Sequence, residues 1–168
     1  MPRVKLYIFD ADGTLRWTDR PGAKYPLHAG EWRLMPGVAE KLRAIPFSAQ
    51  GPWLGIASNQ NGVAAGELSE ETARQLMTDM LRQALGTLPP CLRIEMCICD
   101  ETRACTCRKP APGLLLRLLA HFGVRAEDAL FVGDLASDAE AARRVGMPFA
   151  YAAEFFATSD RSSPFSSE

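Results

Sequence analysis

The chain has 168 residues and a formal net charge of −1, with 47% hydrophobic and 23% charged residues. This size and composition suit one ordinary globular domain with its own core, and the near-neutral charge excludes a general attraction to nucleic acid or anionic lipid. No run approaches the roughly 20 apolar residues that span a bilayer, and the N-terminus lacks a signal-peptide pattern. We therefore expect a cytoplasmic protein with no membrane association.

Strand-like and helix-like segments alternate along the chain. In chain order we predict a strand at 4–9, a long loop at 15–35, a helix at 36–44, a strand at 53–57, a helix at 70–85, a strand at 92–98, a cysteine-rich loop to residue 109, a helix at 112–122, a strand at 129–132, a helix at 137–145 and a strand at 149–151. Ser69 is the expected N-cap of the longest helix, and glycines follow three of the helices.

This alternation predicts an α/β fold, a Rossmann-like three-layer sandwich with a mainly parallel sheet. We expect one domain over residues 1–156 and a Ser-rich, flexible tail over 157–168. Asp10, Ser58, Lys109 and Asp134 each follow a predicted strand or lie in the loop that leaves it. Because active sites of such sheets lie beyond the carboxyl ends of the strands, we expect these four residues to converge.

Two carboxylates stand close together after the first strand. Asp10 and Asp12 point to the same side in extended geometry, and Gly13 allows a sharp turn after them. Such a pair favours a neutralising cation, and carboxylate oxygens suit Mg²⁺. Asp134 and Asp138 add carboxylates at the same edge. An isolated pair is more often a solvated turn, and the later acids could instead cap the helix that follows them.

Four cysteines form a paired Cys-x-Cys pattern: Cys97, Cys99, Cys105 and Cys107. Four thiolates can close a tetrahedral zinc site, and such a site would order a loop that has little apolar content of its own. Because all four ligands would come from the protein, the zinc would be structural. The alternative is four reduced thiols or a disulfide pair.

The order of these motifs resembles the haloacid dehalogenase superfamily. The resemblance rests on residues 10–14 (Asp-Ala-Asp-Gly-Thr), Ser58, Lys109 and residues 133–138, which begin with Gly-Asp and end with Asp. It covers residues 4–151 and implies a phosphatase.

The resemblance also implies roles for individual residues. Asp10 would be the nucleophile that forms an aspartyl-phosphate, and Asp12 would be the general acid and base. Ser58 and Lys109 would complete the catalytic set by binding the transferring phosphoryl group.

The same resemblance assigns the ligands. Residues expected to bind substrate are Asn59, Arg108 and Thr14, of which Thr14 also braces the loop. Residues expected to hold Mg²⁺ are Asp10, Asp12 through its backbone carbonyl, Asp134 and, in support, Asp138.

A narrower resemblance is to the heptose bisphosphate phosphatase and histidinol-phosphatase branch, which implies a minimal cap. It rests on the cysteine loop that leads into Cys-Arg-Lys-Pro at 107–110 and on residues 58–66. Relative to that branch, Cys99 replaces a histidine, while Ala11, Ala65 and Leu135 replace cationic residues that could grip a second phosphate. We therefore expect a monomeric Mg²⁺-dependent phosphomonoester hydrolase that acts on a smaller or singly phosphorylated metabolite, either a sugar phosphate or a histidinol-phosphate-like compound.

Two alternatives remain open at this point. One is a nucleic-acid 3′-end phosphatase, to which Trp17, Arg20, Trp32 and Arg33 could contribute a binding surface, although the overall charge disfavours nucleic acid. The other is a zinc-loop binding module whose phosphatase site is inactive.

Overall fold

A computed structural model describes residues 3–157, so the predicted tail lies outside the described residues except for Ala157. The strands are β1 (Leu6–Phe9), β2 (Arg16–Thr18), β3 (Trp32–Leu34), β4 (Trp53–Asn59), β5 (Arg93–Cys97), β6 (Ala129–Gly133) and β7 (Phe149–Tyr151). The helices are α1 (Val38–Arg43), α2 (Asn61–Ala64), α3 (Glu70–Leu85), α4 (Gly113–Phe122), α5 (Ala136–Val145) and α6 (Ala152–Phe155), with a 3₁₀ turn at Ala126–Asp128.

Five parallel strands form the main sheet, in the order β5-β4-β1-β6-β7. The central strand β1 pairs with β4 and β6, which sets Phe9 beside Ile56 and Val132. The carboxyl ends of these three strands therefore meet at one edge, and the predicted α/β fold with a parallel sheet is confirmed.

Both faces of the sheet are covered by helices. Side chains of β1 alternate between two cores: Phe9 packs on one face with residues of α1 and α3, and Ile8 packs on the other with residues of α4 and α5. This alternation follows from the two-residue period of a strand. The result is the three-layer sandwich predicted from the sequence.

The helix ends follow their sequence signals. Ser69 caps α3, because its Oγ accepts a hydrogen bond from the backbone N–H of Thr72 at 3.0 Å. The helices α3, α4 and α5 each end one residue before a glycine with positive φ. Among the described residues, none of the helices has both the length and the apolar character needed to cross a membrane.

The prediction of a long loop at 15–35 is wrong in part, because β2 and β3 form an antiparallel hairpin there. Strands of three residues are too short to show a clear period. Arg16 is buried, Trp17 is exposed and Trp32 is buried, so the strands alternate but break the usual link between polarity and exposure. The short helices α2 and α6 were missed for the same reason of length.

Leu118 tests the core on the α4 face of the sheet. This side chain is fully buried, whereas Leu116, two residues earlier on the same helix, is 50% exposed. Leu118→Ala should lower the free energy of unfolding by about 2–5 kcal/mol. Leu116→Ala should change it by less than about 0.5 kcal/mol. Urea denaturation of both variants measures the difference, and equal effects would contradict this packing.

Candidate active site

The ammonium group of Lys109 lies between two buried carboxylates at the carboxyl edge of the sheet. Its Nζ is 2.9 Å from Asp10 Oδ1 and 2.7 Å from Asp138 Oδ1, and it donates to the carbonyl oxygen of Ala57 at 2.9 Å. Asp10 follows β1, Asp138 lies in the first turn of α5, and Lys109 belongs to the loop after β5. This one contact therefore joins three separate parts of the chain.

Burial and mutual attraction set the pKa values of Asp10 and Lys109. Burial raises the pKa of Asp10 from its ordinary 3.8 to about 8, even though Lys109 attracts the charged form. Burial also opposes the charge on Lys109, but the attraction of Asp10 and Asp138 outweighs it and raises the pKa of the ammonium. A single ammonium thus faces more carboxylate charge than it neutralises, which is the setting in which a cation binds.

Asp134 completes a candidate metal site. One carboxylate oxygen from each of Asp10, Asp134 and Asp138 lies within 4.8 Å of the others. Asp134 is exposed, and its Oδ1 accepts a hydrogen bond from Thr14 Oγ1 at 3.2 Å. Oxygen ligands of this kind, with one side open to solvent, fit Mg²⁺.

Asp138 has two structural partners besides Lys109. Its Oδ2 accepts hydrogen bonds from the backbone N–H groups of Asp134 and Leu135, each at 3.1 Å. These bonds satisfy orphan donors at the start of α5. Asp138 therefore caps the start of α5 and also belongs to the acidic cluster.

The carboxylate of Asp12 points to different partners from that of Asp10. Its Oδ1 accepts a hydrogen bond from Arg16 Nε at 2.8 Å, and its Oδ2 accepts one from Gln60 Nε2 at 3.3 Å. Gln60 Nε2 also donates to Ser58 Oγ at 2.7 Å, and both of these side chains are buried. Asp12 is thus outside the carboxylate cluster, which leaves its backbone carbonyl as the atom expected to reach a metal.

Sequence reasoning missed Arg16 and Gln60. Both are buried polar side chains that hold the carboxylate of Asp12. Gln60 lies inside the segment 58–66 that was noted for its resemblance, so it could have been singled out there. Arg16 gave no signal, because the tight turn at 11–16 that brings it to Asp12 has no distinctive sequence pattern at Arg16.

Asn59 binds the backbone on either side of the Lys109 side chain. Its Oδ1 accepts from the backbone N–H of Lys109 at 3.0 Å, and its Nδ2 donates to the carbonyl of the same residue at 3.1 Å. The neighbouring Arg108 forms an ion pair with Glu101 at 2.8 Å and donates to Asn61 Oδ1. The expected substrate contacts of Asn59, Arg108 and Thr14 stay predictions.

A cavity of about 600 Å³ opens over the acidic group, and Asp10, Asp12, Asp134, Lys109 and Arg108 all line it. Ser58 is buried and is not part of this lining. Other lining residues come from the hairpin and its loop: Trp17, Thr18, Ala23, Lys24 and Tyr25.

A second, more apolar cavity of about 420 Å³ shares Gly13 and Asp134 with the first and extends towards Tyr151 and Phe156. The loop after β1 and the carboxylate of Asp134 therefore separate two cavities.

The four predicted zinc cysteines also lie together. One sulfur from each of the four lies within 4.8 Å of the others. The Sγ–Sγ distances are 3.7 Å for Cys97–Cys105, 3.6 Å for Cys99–Cys107, 3.7 Å for Cys105–Cys107 and 3.1 Å for Cys97–Cys107. A tetrahedral site with Zn–S bonds of about 2.3 Å holds its sulfurs about 3.8 Å apart, so three of these four distances fit zinc closely.

A hydrogen bond stabilises the thiolate form of one cysteine of the cluster, Cys105. The backbone N–H of Arg108 donates to Cys105 Sγ at 3.2 Å, which lowers the pKa of this thiol to about 6. Zinc binds the deprotonated form of cysteine, so such a donor favours ligation. The cluster is therefore a candidate zinc site.

Comparisons with known proteins agree with this geometry. The model of the polynucleotide kinase 3 phosphatase family matches residues 5–162. A D-glycero-beta-D-manno-heptose-1,7-bisphosphate 7-phosphatase of Rhodopseudomonas palustris is 33% identical over 154 residues, which cover 88% of this chain and 82% of the relative. The same activity is named for a Bordetella bronchiseptica relative that is 31% identical, with 85% of this chain and 77% of the relative covered.

A solved structure shows the same fold. The D,D-heptose 1,7-bisphosphate phosphatase of B. bronchiseptica, complexed with magnesium and phosphate, superposes with a TM-score of 0.72 at 27% identity, over 87% of this chain and 79% of that chain. The fold and the relatives together define the class as phosphatases of the haloacid dehalogenase type. Within that class, the chain belongs to the polynucleotide kinase 3 phosphatase family, on the branch of the heptose bisphosphate phosphatases. This membership argues against a binding module with an inactive site.

Gly13 tests the approach of the β1 loop to the candidate metal ligand. It has a φ of 87°, and a Cβ at this position would lie 2.2 Å from Asp134 Oδ2. Gly13→Ala should therefore displace the Asp134 carboxylate. The Mg²⁺ concentration needed for half-maximal activity should rise about 10–100-fold.

Gly30 provides the matched control, since it has a φ of 85° with no atom within 4 Å of the corresponding Cβ. Gly30→Ala should lower the free energy of unfolding by about 1 kcal/mol. It should leave the Mg²⁺ concentration for half-maximal activity unchanged. Mg²⁺ titration of phosphatase activity measures the two variants, and equal activation constants would contradict the close approach.

Proposed function

We propose that this protein is a Mg²⁺-dependent phosphomonoester hydrolase that forms an aspartyl-phosphate at Asp10. The observation that carries the proposal is the buried Lys109 ammonium, which contacts Asp10 and Asp138 while Asp134 stands open beside them. A nucleophilic carboxylate, a fixed cation and a set of oxygen ligands at one strand edge are the parts that phosphoryl transfer requires.

In the first chemical step, Asp10 attacks phosphorus and the bond from phosphorus to the leaving oxygen breaks. Asp12 then supplies the proton that converts the leaving oxygen to an alcohol. Arg16 and Gln60 hold the Asp12 side chain, so they fix where that proton is delivered. Lys109 stays beside Asp10 and offsets negative charge on the transferring group.

In the second step, water attacks phosphorus and Asp12 removes its proton. Inorganic phosphate leaves and the Asp10 carboxylate is restored. Mg²⁺ held by Asp10, Asp134 and the backbone carbonyl of Asp12 would neutralise charge on the phosphoryl oxygens in both steps. Asp138 acts indirectly, because it fixes Lys109 and the backbone of Asp134.

The substrate that we propose is a small phosphorylated metabolite, either a sugar phosphate or a histidinol-phosphate-like compound. Curated relatives on this branch are named for heptose 1,7-bisphosphate. A cavity of about 600 Å³ is of the size that holds a small ligand.

A second candidate is the 3′-end of a nucleic acid. It is favoured by the description of the matching family and by Trp17, which is 45% exposed at the cavity and could stack on a base. A 3′-phosphorylated oligonucleotide separates the two candidates. Binding through several phosphates would make kcat/KM fall steeply with salt, whereas a small ester would show little salt dependence.

We further propose that the four clustered cysteines hold one structural Zn²⁺. The support is their convergence, with no open ligand position left for catalysis. Cys107 directly precedes Arg108 and Lys109, so the metal would brace the segment that carries the buried ammonium.

Asp10→Asn tests the nucleophile. The amide keeps the size of the side chain but removes the attacking charge, so phosphate release from p-nitrophenyl phosphate with Mg²⁺ should fall by at least about a thousandfold. Asp79→Asn, a change at an exposed carboxylate on α3, is the matched control and should retain activity. Full activity in the Asp10 variant would refute the mechanism.

Cys105→Ser and Cys91→Ser test the zinc site. Cys105 belongs to the cluster, whereas Cys91 is exposed and lies outside it. Elemental analysis should find about one zinc per chain in the unmodified protein and in the Cys91 variant, and clearly less in the Cys105 variant. The Cys105 variant should also unfold at lower urea, because metal binding contributes to folding. Unmodified protein purified without chelator that contains no zinc would contradict the proposal.

A further inference from the structure

Large apolar side chains are exposed at the mouth of the cavity that contains Asp10. Five such side chains are exposed in the described part of the chain, and two of them, Trp17 and Leu135, line this cavity. Leu135 is 57% exposed, the highest value of the five, and Trp17 is 45% exposed. Exposed apolar groups on the wall of a concave site are typical of a surface that binds a ligand.

Both side chains stand on backbone that the acidic site holds in place. Trp17 follows Arg16 on β2, and Arg16 is buried against Asp12 at 2.8 Å, so the strand alternation turns Trp17 outward. The backbone N–H of Leu135 donates to Asp138 Oδ2 at 3.1 Å. A ligand that covers these side chains therefore meets a preorganised surface and loses little free energy to ordering it.

The cations of the cavity are largely committed to the protein itself. Arg108 forms an ion pair with Glu101 at 2.8 Å, and Lys109 contacts two buried carboxylates. Within residues 3–157, Lys24 is the one lining cation that makes no ion pair. A second phosphate group brings close to two negative charges, which one exposed lysine compensates poorly.

We propose that this cavity takes a monophosphate ester whose leaving alcohol carries an apolar ring, and that the ring lies against Trp17 and Leu135. The inference rests on the proposed function, since the phosphoryl group must be placed at Asp10. The ring belongs to the part of the substrate that departs as the alcohol. The reaction is hydrolysis of the phosphate ester at Asp10.

The test compares two esters whose leaving alcohols have nearly equal acidity, 2-phenylethyl phosphate and ethyl phosphate. The ring should raise kcat/KM about tenfold, which is the equivalent of about 1.4 kcal/mol. That value matches the burial of roughly 55 Å² of apolar surface at about 25 cal/mol per Å². Equal kcat/KM values for the two esters would overturn the proposal.

Leu135→Lys exchanges the apolar wall for a cation. The preference for the 2-phenylethyl ester should fall at least threefold, and kcat/KM for fructose 1,6-bisphosphate relative to fructose 6-phosphate should rise about tenfold. Leu116→Lys is the matched control, because Leu116 is 50% exposed on α4 away from the cavity. Unchanged ratios in the Leu135 variant, or the same shift in the control, would overturn the proposal.

Trp17→Ala tests the other side of the ring. It should reduce the preference for the 2-phenylethyl ester about tenfold, to near that of ethyl phosphate. Tyr151→Ala is the control, since Tyr151 is 44% exposed but lines the neighbouring cavity. If only the Tyr151 variant loses the preference, the ring binds in the neighbouring cavity. That result would overturn the placement of the ring against Trp17.

Two further measurements separate the possible failures. If the unmodified protein releases phosphate from p-nitrophenyl phosphate and ethyl phosphate but shows no ring preference, the inference fails and the proposed function stands. If no ester is hydrolysed with Mg²⁺, the proposed function fails. Faster turnover of adenosine 3′-monophosphate than of 2-phenylethyl phosphate would overturn the apolar ring in favour of a nucleotide.

Discussion

The ammonium of Lys109 is buried between Asp10 and Asp138, and the geometry of the whole acidic edge depends on this contact. A buried charge without partners is strongly unfavourable, so the chain must bring acceptors to it. It does so from the end of β1, from the first turn of α5 and from the carbonyl of Ala57 on β4. Once these are in place, Asp134 is held beside them through the bonds that Asp138 makes to the backbone.

The same contact explains why a metal ion suits the site. One ammonium faces two buried carboxylates and an open third one, and burial raises the pKa of Asp10 to about 8. A divalent cation would stabilise the ionised form that a nucleophile requires.

Much of the fold was predictable because its signals are local. Apolar runs or an apolar alternation mark the five parallel strands, Ser69 and the glycines mark helix ends, and acidic residues follow β1 and β6 directly. The hairpin was not predictable in this way, because its strands have three residues each and depend on pairing between β2 and β3.

Part of the candidate site was also predictable from the sequence. Asp10 and Asp134 directly follow the neighbouring strands β1 and β6, so topology brings them together, and Lys109 lies in the loop that leaves β5. The partners of Asp12 were not predictable, because Arg16 reaches it through the tight turn at 11–16 and Gln60 reaches it from the turn after β4. The two bonds from Asn59 to the backbone of Lys109 likewise join positions 50 residues apart and leave no trace in a local pattern.

Those two bonds have a consequence for how this fold can change over evolution. Asn59 fixes Lys109 from the end of β4, which belongs to the rigid sheet, and this contact does not involve residues 98–106 of the preceding loop. Changes of length between Cys99 and Cys105 that keep both cysteines can therefore be accommodated while the ammonium keeps its place. Because Glu101 of this loop pairs with Arg108 on the cavity wall, a lineage can alter the surroundings of that arginine without moving Lys109.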